Sequence, residues 1–212
     1  NKCVLNMCDS MNSRGPDNYG NWLRDDGLVA FGHRRLAIID LDERANQPMH
    51  TNDNRYVIIF NGEIYNFNEL RETLQDDGYV FKTYSDTEVI LALYSLEGEK
   101  MLSKLQGMFS IAIWDNLLET LFLARDPYGI KPLYIARSKH CWLFASQVKA
   151  LIASGVVSKE RDIEGQLSFW LLGSVSDPLT WFKDISALPA GSWAKITRDQ
   201  IFDGPHQYFD IG

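Results

Sequence analysis

The stretch Arg55-Tyr56-Val57-Ile58-Ile59-Phe60-Asn61-Gly62-Glu63-Ile64-Tyr65-Asn66 decides the fold. Its first half is rich in β-branched and aromatic residues, so residues 55–60 predict a strand. Asn61-Gly62 follows, the dipeptide that most strongly marks a tight turn after a strand. A helix is expected next. Asn66 is placed to cap it, Glu69 completes a capping box, and Leu70 and Leu74 share one face.

The same helix-opening device recurs at Ser85-Asp86-Thr87-Glu88, ahead of Val89, Ile90, Leu93 and Tyr94. Residues 109–114, 120–124, 133–136 and 142–145 predict short strands separated by turn residues such as Asp115-Asn116 and Ser138-Lys139. Ser146 is placed to cap a helix through Leu151, and residues 163–172 predict another. Upstream, apolar residues 28–31 and 36–39 flank His33-Arg34-Arg35. Strands in a block, then a helix pair, then more strands argue against an alternating parallel βαβ sheet, and periodicity alone gives a mixed α+β chain. From Leu188 onward Gly and Pro punctuate the sequence, which predicts an exit ribbon or linker over 188–212 after a domain over 1–187.

With 21 Lys and Arg against 28 Asp and Glu, the net charge is −7. An acidic chain without a basic block has no electrostatic reason to hold nucleic acid or an anionic membrane. No apolar run approaches the ~20 residues of a membrane helix. Cys3, Cys8 and Cys141 show neither CxxC pairing nor framework spacing, which fits a reduced, cytoplasmic setting. His33, His50, His140 and His206 are scattered without metal-ligand spacing. Phosphate loops, dinucleotide fingerprints and nucleophile elbows are absent from the sequence.

Four motifs fall in order: Arg14-Gly15-Pro16-Asp17, the GHRRLAIIDL run over 32–41, FNGEIYN over 60–66, and Ser85-Asp86-Thr87-Glu88. ARDPYGIKPLY over 124–134 and FASQVKAL over 144–151 extend the series. Together they resemble the glutamine-hydrolysing domain of the asparagine-synthetase-type class II amidotransferases. The resemblance implies a four-layer αββα sandwich, the N-terminal nucleophile hydrolase fold, with two mostly antiparallel sheets facing each other. It also implies glutamine as substrate and no cofactor for this domain. A synthetase domain elsewhere in the full-length chain would use ATP and Mg, and residues 171–193 resemble the region that joins the two. The resemblance allows a homodimer.

Roles follow residue by residue. Asn61 and Gly62 are implied as the oxyanion hole, a side-chain amide and a backbone N–H aimed at one oxygen; taken alone, Asn-Gly is only a turn. Arg35 is implied as the clamp on the substrate α-carboxylate, for which guanidinium offers a bidentate fork. Leu36 and Ile38 would form the pocket wall, and a plain core strand is equally compatible. Glu63 and Asp86 would receive the substrate ammonium, although helix capping alone also explains Asp86. Arg14 would support the catalytic end, or its Gly15-Pro16 is a simple turn.

In this family the nucleophile is a cysteine at the first position of the mature chain, with its own α-amino group as base. Here the sequence starts at Asn1, and neither Cys3 nor Cys8 sits in that context. The expectation is that these residues alone lack glutaminase activity. Three explanations compete: a preceding segment of the native protein carries the cysteine, the chain is a non-catalytic binding or scaffold module, or Cys3 or Cys8 has been recruited.

Overall fold

The computed structural model describes residues 2–35 and 43–210. In chain order they form α1 (Lys2–Ser10), β1 (Asn18–Leu23), β2 (Ala30–Arg35), β3 (Met49–His50), β4 (Tyr56–Ile64), α2 (Phe67–Asp76), α3 (Asp86–Glu97), β5 (Gly107–Asp115) and β6 (Thr120–Arg125). Then come β7 (Tyr134–Arg137), β8 (Trp142–Ala145), α4 (Val148–Ala153), α5 (Ile163–Leu172), β9 (Ile185–Ala187), β10 (Ser192–Thr197) and β11 (Phe202–Gln207).

Burial separates these elements into layers. The main sheet runs β11-β10-β6-β5-β4-β3, every neighbouring pair antiparallel. Its residues alternate between two apolar clusters, because successive side chains of a strand point to opposite faces. Ile58, Phe60, Ile64, Phe109, Ile111, Ile113 and Phe122 pack under α2 and α3. Val57, Ala112, Trp114, Leu121 and Leu123 face the other way, onto Phe31 of β2, Ile135 of β7 and Leu133 just ahead of β7. Behind that second layer, Ala136, Leu143, Ala145 and Ile185 meet Met7 of α1 and Ala150 and Leu151 of α4. The order of layers is therefore helix, sheet, sheet, helix. The second sheet layer consists of two hydrogen-bonded pieces, β1-β2 and β8-β7-β9, joined by an edge contact between Phe31 and Phe144. No helix of the described residues is long and apolar enough to cross a membrane.

Several local expectations are corrected. Asn61-Gly62 is not a turn: β4 continues to Ile64, with Asn61 opposite Ser110 and Gly62 opposite Phe109. Pairing with β5 along all of β4 outweighs the local turn preference of the dipeptide. Asn66 does not cap α2 with its side chain. Its carboxamide bridges instead to the strand-entry loop, donating to the Lys104 carbonyl and accepting from the Gln106 N–H, both at 3.0 Å. α4 starts at Val148 after Gln147, so Ser146 is not its cap. Residues 192–207, within the expected exit ribbon, supply β10 and β11 of the main sheet. The alternating burial of Ser192–Thr197 shows why: every second side chain is core.

Ser85 does cap α3, accepting from the Thr87 N–H at 3.1 Å. Glu88 completes the arrangement from inside the helix, its carboxylate receiving the N–H groups of Lys82 and Thr83 and the Thr83 hydroxyl. A negative group in the first turn also suits the helix dipole. Asp126, fully buried, accepts from the amides of Phe109, Tyr128, Ile130 and Lys131. Its neighbour Arg125 pairs with Asp177 and donates to the carbonyls of Gly129, Lys131 and Leu188. These two residues of the RDPYGIK run fold the chain between the sheets.

Candidate active site

The far half of β4 builds the site. Val57 belongs to the inter-sheet cluster, so strand alternation puts Asn61 and Glu63 on that same side, beyond the apolar part of the core. Asn61 is exposed and Glu63 half-buried, and neither side chain meets a hydrogen-bonding partner among the described residues.

β2 supplies the facing wall. Gly32 lies against α1, where an added Cβ would stand 2.4 Å from Cys8 Sγ. Phe31, His33 and Arg35 therefore share the opposite face, toward β4. The His33 ring reaches the Phe60 backbone. Burial pushes its pKa down to about 4, the Phe60 hydrogen bond opposes that, and the Arg35 charge adds to it. The imidazole is thus neutral at physiological pH. Arg35 donates to Asn46 Oδ1 at 2.7 Å, which steadies its guanidinium. The RGPD turn buttresses this end of β2: Gly15 is buried with its would-be Cβ 2.5 Å from the Arg34 carbonyl carbon, and the Asp17 N–H donates to the Arg35 carbonyl. Arg14 itself is exposed.

The hydrogen-bonding edge of β4 is the third component. The Phe60 N–H goes to Gln47 Oε1 at 2.6 Å and the Ile64 N–H to Asp86 Oδ2 at 3.2 Å. Gly62 lies between them with the same parity, so its N–H points out of the same edge, away from β5. Among the described residues no acceptor meets it. Glycine is required here for close approach, since a Cβ would fall 2.1 Å from the Met108 carbonyl oxygen.

Asp86 stands beside this edge at the start of α3, buried. Burial raises its pKa, backbone hydrogen bonds from Ile64 and Thr87 hold it down, and the Glu63 charge pushes it up. Two carboxylates sharing a partly dehydrated space favour a cation between them. Glu63 of β4 and Asp86 of α3 thus lie within electrostatic reach of each other, and Arg35 of β2 within reach of His33, whose ring meets Phe60 of β4; the space between β2 and the far half of β4 is the candidate cleft. Leu36 and Ile38 lie outside the described residues. Sequence reasoning missed His33, Asn46 and Gln47, whose roles depend on how 46–48 approaches β4.

Cys8 is on the wrong side of β2 to serve this cleft, and burial raises its thiol pKa, which weakens it as a nucleophile.

A family model described as a glutamine amidotransferase domain matches residues 1–209. The chain belongs to that family. Asparagine synthetase [glutamine-hydrolyzing] 1 of Bacillus subtilis is 44% identical to this amidotransferase domain over 187 residues, covering 88% of the chain and 29% of the relative. Asparagine synthetase B [glutamine-hydrolyzing] of Escherichia coli is 41% identical over 152 residues, covering 71% and 27%. The chain therefore spans under a third of the length of these curated relatives. A solved structure described as the allosteric regulatory enzyme of purine biosynthesis superposes with a TM-score of 0.74 over 98% of the chain and 47% of that protein, at 19% identity. That likeness is one of fold, the αββα sandwich expected of an N-terminal nucleophile hydrolase.

Proposed function

We propose that this amidotransferase domain hydrolyses glutamine to glutamate and passes the ammonia to an ATP-dependent synthetase domain of the same full-length chain. The observation that carries the reading is the open edge of β4: an N–H at Gly62 and a carboxamide at Asn61, both without a partner among the described residues, with Glu63 and Asp86 within reach of each other beside them. Arg35 takes the substrate α-carboxylate, Glu63 and Asp86 take its ammonium, and Leu36 and Ile38 form the pocket wall. That clamp directs the side-chain amide at Asn61 and Gly62.

A thiolate adds to the amide carbon, and the carbonyl oxygen becomes an oxyanion held by the Asn61 Nδ2–H and the Gly62 N–H. The C–N bond then breaks, the nitrogen leaves as ammonia with the proton taken from the thiol, and water cleaves the thioester to glutamate. The thiol comes from an N-terminal cysteine whose α-amino group, with a pKa near 8, serves as base. Residues 1–212 alone, by this reading, release no ammonia from glutamine.

The names of the relatives, asparagine synthetases, support aspartate as the acceptor, and ATP with magnesium would be requirements of the synthetase domain. The surface of α5 supports a covering domain. Ile163, Leu167, Trp170, Leu171 and Leu172 are exposed, Leu171 to 80%, and only Gly165 of that helix is buried. An apolar helix without a core of its own marks a contact surface.

The test is ammonia release from glutamine by the full-length protein, set beside residues 1–212 and an Arg35→Ala variant. Activity in the full-length protein, lost in both comparisons at limiting glutamine, is expected. Undiminished release by residues 1–212 that disappears with Cys3→Ser or Cys8→Ser would refute the assignment of the nucleophile.

A further inference from the structure

β3 and β4 pair with Met49 opposite Ile58 and His50 opposite Val57, a register that, if continued, would set Gln47 opposite Phe60. The backbone does not continue it. Pairing stops at Met49, and the Gln47 main chain turns onto β1, where a Cβ on Gly20 would stand 1.9 Å from the Gln47 carbonyl oxygen. The Gln47 side chain goes where the strand would have gone. Its Oε1 accepts from the Phe60 N–H at 2.6 Å, and its Nε2 donates to Thr87 Oγ1 at 3.2 Å. One residue before Thr87, Asp86 takes the Ile64 N–H. Two side chains therefore replace a strand at Phe60 and at Ile64, and between them the Gly62 N–H meets no acceptor among the described residues.

We propose that Gln47 is a positioning residue for the oxyanion hole, a role that rests on the reading of Asn61 and Gly62 as its donors. A strand edge with free N–H groups is otherwise prone to pair or to shift. Gln47 occupies the N–H next but one to Gly62 and ties it to the first turn of α3, so the direction of the Gly62 N–H is set before substrate arrives. Preorganisation of that kind is what makes an oxyanion donor effective. A glutamine suits the position because one planar amide offers both an acceptor for Phe60 and a donor for Thr87. Gln47 is buried and both its hydrogen bonds run to protein groups, so its influence runs through β4.

The experiment compares steady-state glutaminase kinetics of the full-length protein with Gln47→Met, Gln47→Glu, Thr87→Val and Asn61→Ala. Gln47→Met keeps the volume and removes both bonds. It should lower kcat roughly 10- to 100-fold while KM for glutamine moves less than about threefold, since the clamp residues are untouched. Gln47→Glu keeps an oxygen for the Phe60 N–H, and the Thr87 hydroxyl can turn to donate, so most of kcat should return. A general loss of structure would not give that split or that rescue. If Gln47→Met does not fold, Thr87→Val, which unties only the far end of the tether, should still depress kcat with KM unchanged. An unaltered kcat in a folded Gln47→Met or Thr87→Val protein, or equal losses in Gln47→Met and Gln47→Glu, overturns the proposal. Should Asn61→Ala also leave kcat unchanged, the oxyanion reading itself falls. A large kcat loss in Asn61→Ala alone refutes only the role of Gln47.

Discussion

Truncating Asn61 to alanine isolates one proposed oxyanion donor from everything else in the site. The side chain is exposed and meets no partner among the described residues, so its removal leaves no orphaned group behind. Backbone pairing of Asn61 with Ser110 persists, and Phe60 and Ile64 keep their bonds to Gln47 and Asp86. Folding stability should therefore change by no more than about 0.5 kcal/mol, as at other exposed positions. The transition state loses one of two donors, worth roughly 2.7–4 kcal/mol. At about 1.36 kcal/mol per decade, that is a fall of roughly 10²–10³ in kcat. In the proposed site the glutamine clamp is Arg35, Glu63 and Asp86, whose contacts are the same before and during the reaction, so KM should stay close to its original value.

The assay is glutamate formation by the full-length protein across a range of glutamine concentrations, with thermal unfolding of both proteins as the control. A strong rise in KM at unchanged kcat would refute the reasoning, because it would make Asn61 a ground-state contact. So would an unfolding midpoint several degrees lower, since that would show the carboxamide to be part of the scaffold.

Arg35→Ala should act in reverse, weakening glutamine binding at least tenfold in calorimetric titration, with a smaller change in kcat; charge-assisted bidentate contacts to a carboxylate carry such differences. His33 gives a pH test. Its folded pKa lies below the ordinary histidine value, so its neutral form contributes stability that is present above about pH 6.5 and lost as the pH falls toward about 4. Denaturant midpoints of the native protein should decline through that window, and a His33→Gln variant should decline less. Asp86 runs the other way: its raised pKa means stability falls as the pH rises from the ordinary aspartate range, a slope that Asp86→Asn should flatten. Asp126→Asn places an amide where four N–H groups converge and should destabilise the fold by about 3 kcal/mol or more in urea unfolding.

The sequence was most legible where a local rule and the tertiary structure agree. Ser85-Asp86-Thr87-Glu88 announces a helix start, and α3 begins there because Ser85 takes the Thr87 N–H that a helix start exposes while Glu88 ties down the Lys82 and Thr83 amides just ahead of it. Asn61-Gly62 shows the opposite case. Local propensity predicts a turn, yet nine residues of β4 pair with β5, and the glycine serves close strand packing instead of a bend. In the proposed site the same dipeptide has a second use: a residue without a side chain lets β5 press against the strand whose Gly62 N–H meets no acceptor among the described residues. Gln47 carried no legible signal at all. A glutamine before a proline has no helical or strand pattern, and its meaning appears only when the β3 backbone leaves β4 and a side chain takes over the pairing. An oxyanion hole on a strand edge faces a conflict: the edge must be held still, and one N–H of it must stay unpaired. Side chains from two other segments, Gln47 and Asp86, resolve it by pairing with the N–H groups on either side of Gly62. That solution depends on three segments meeting in space, which periodicity and spacing along one chain do not encode.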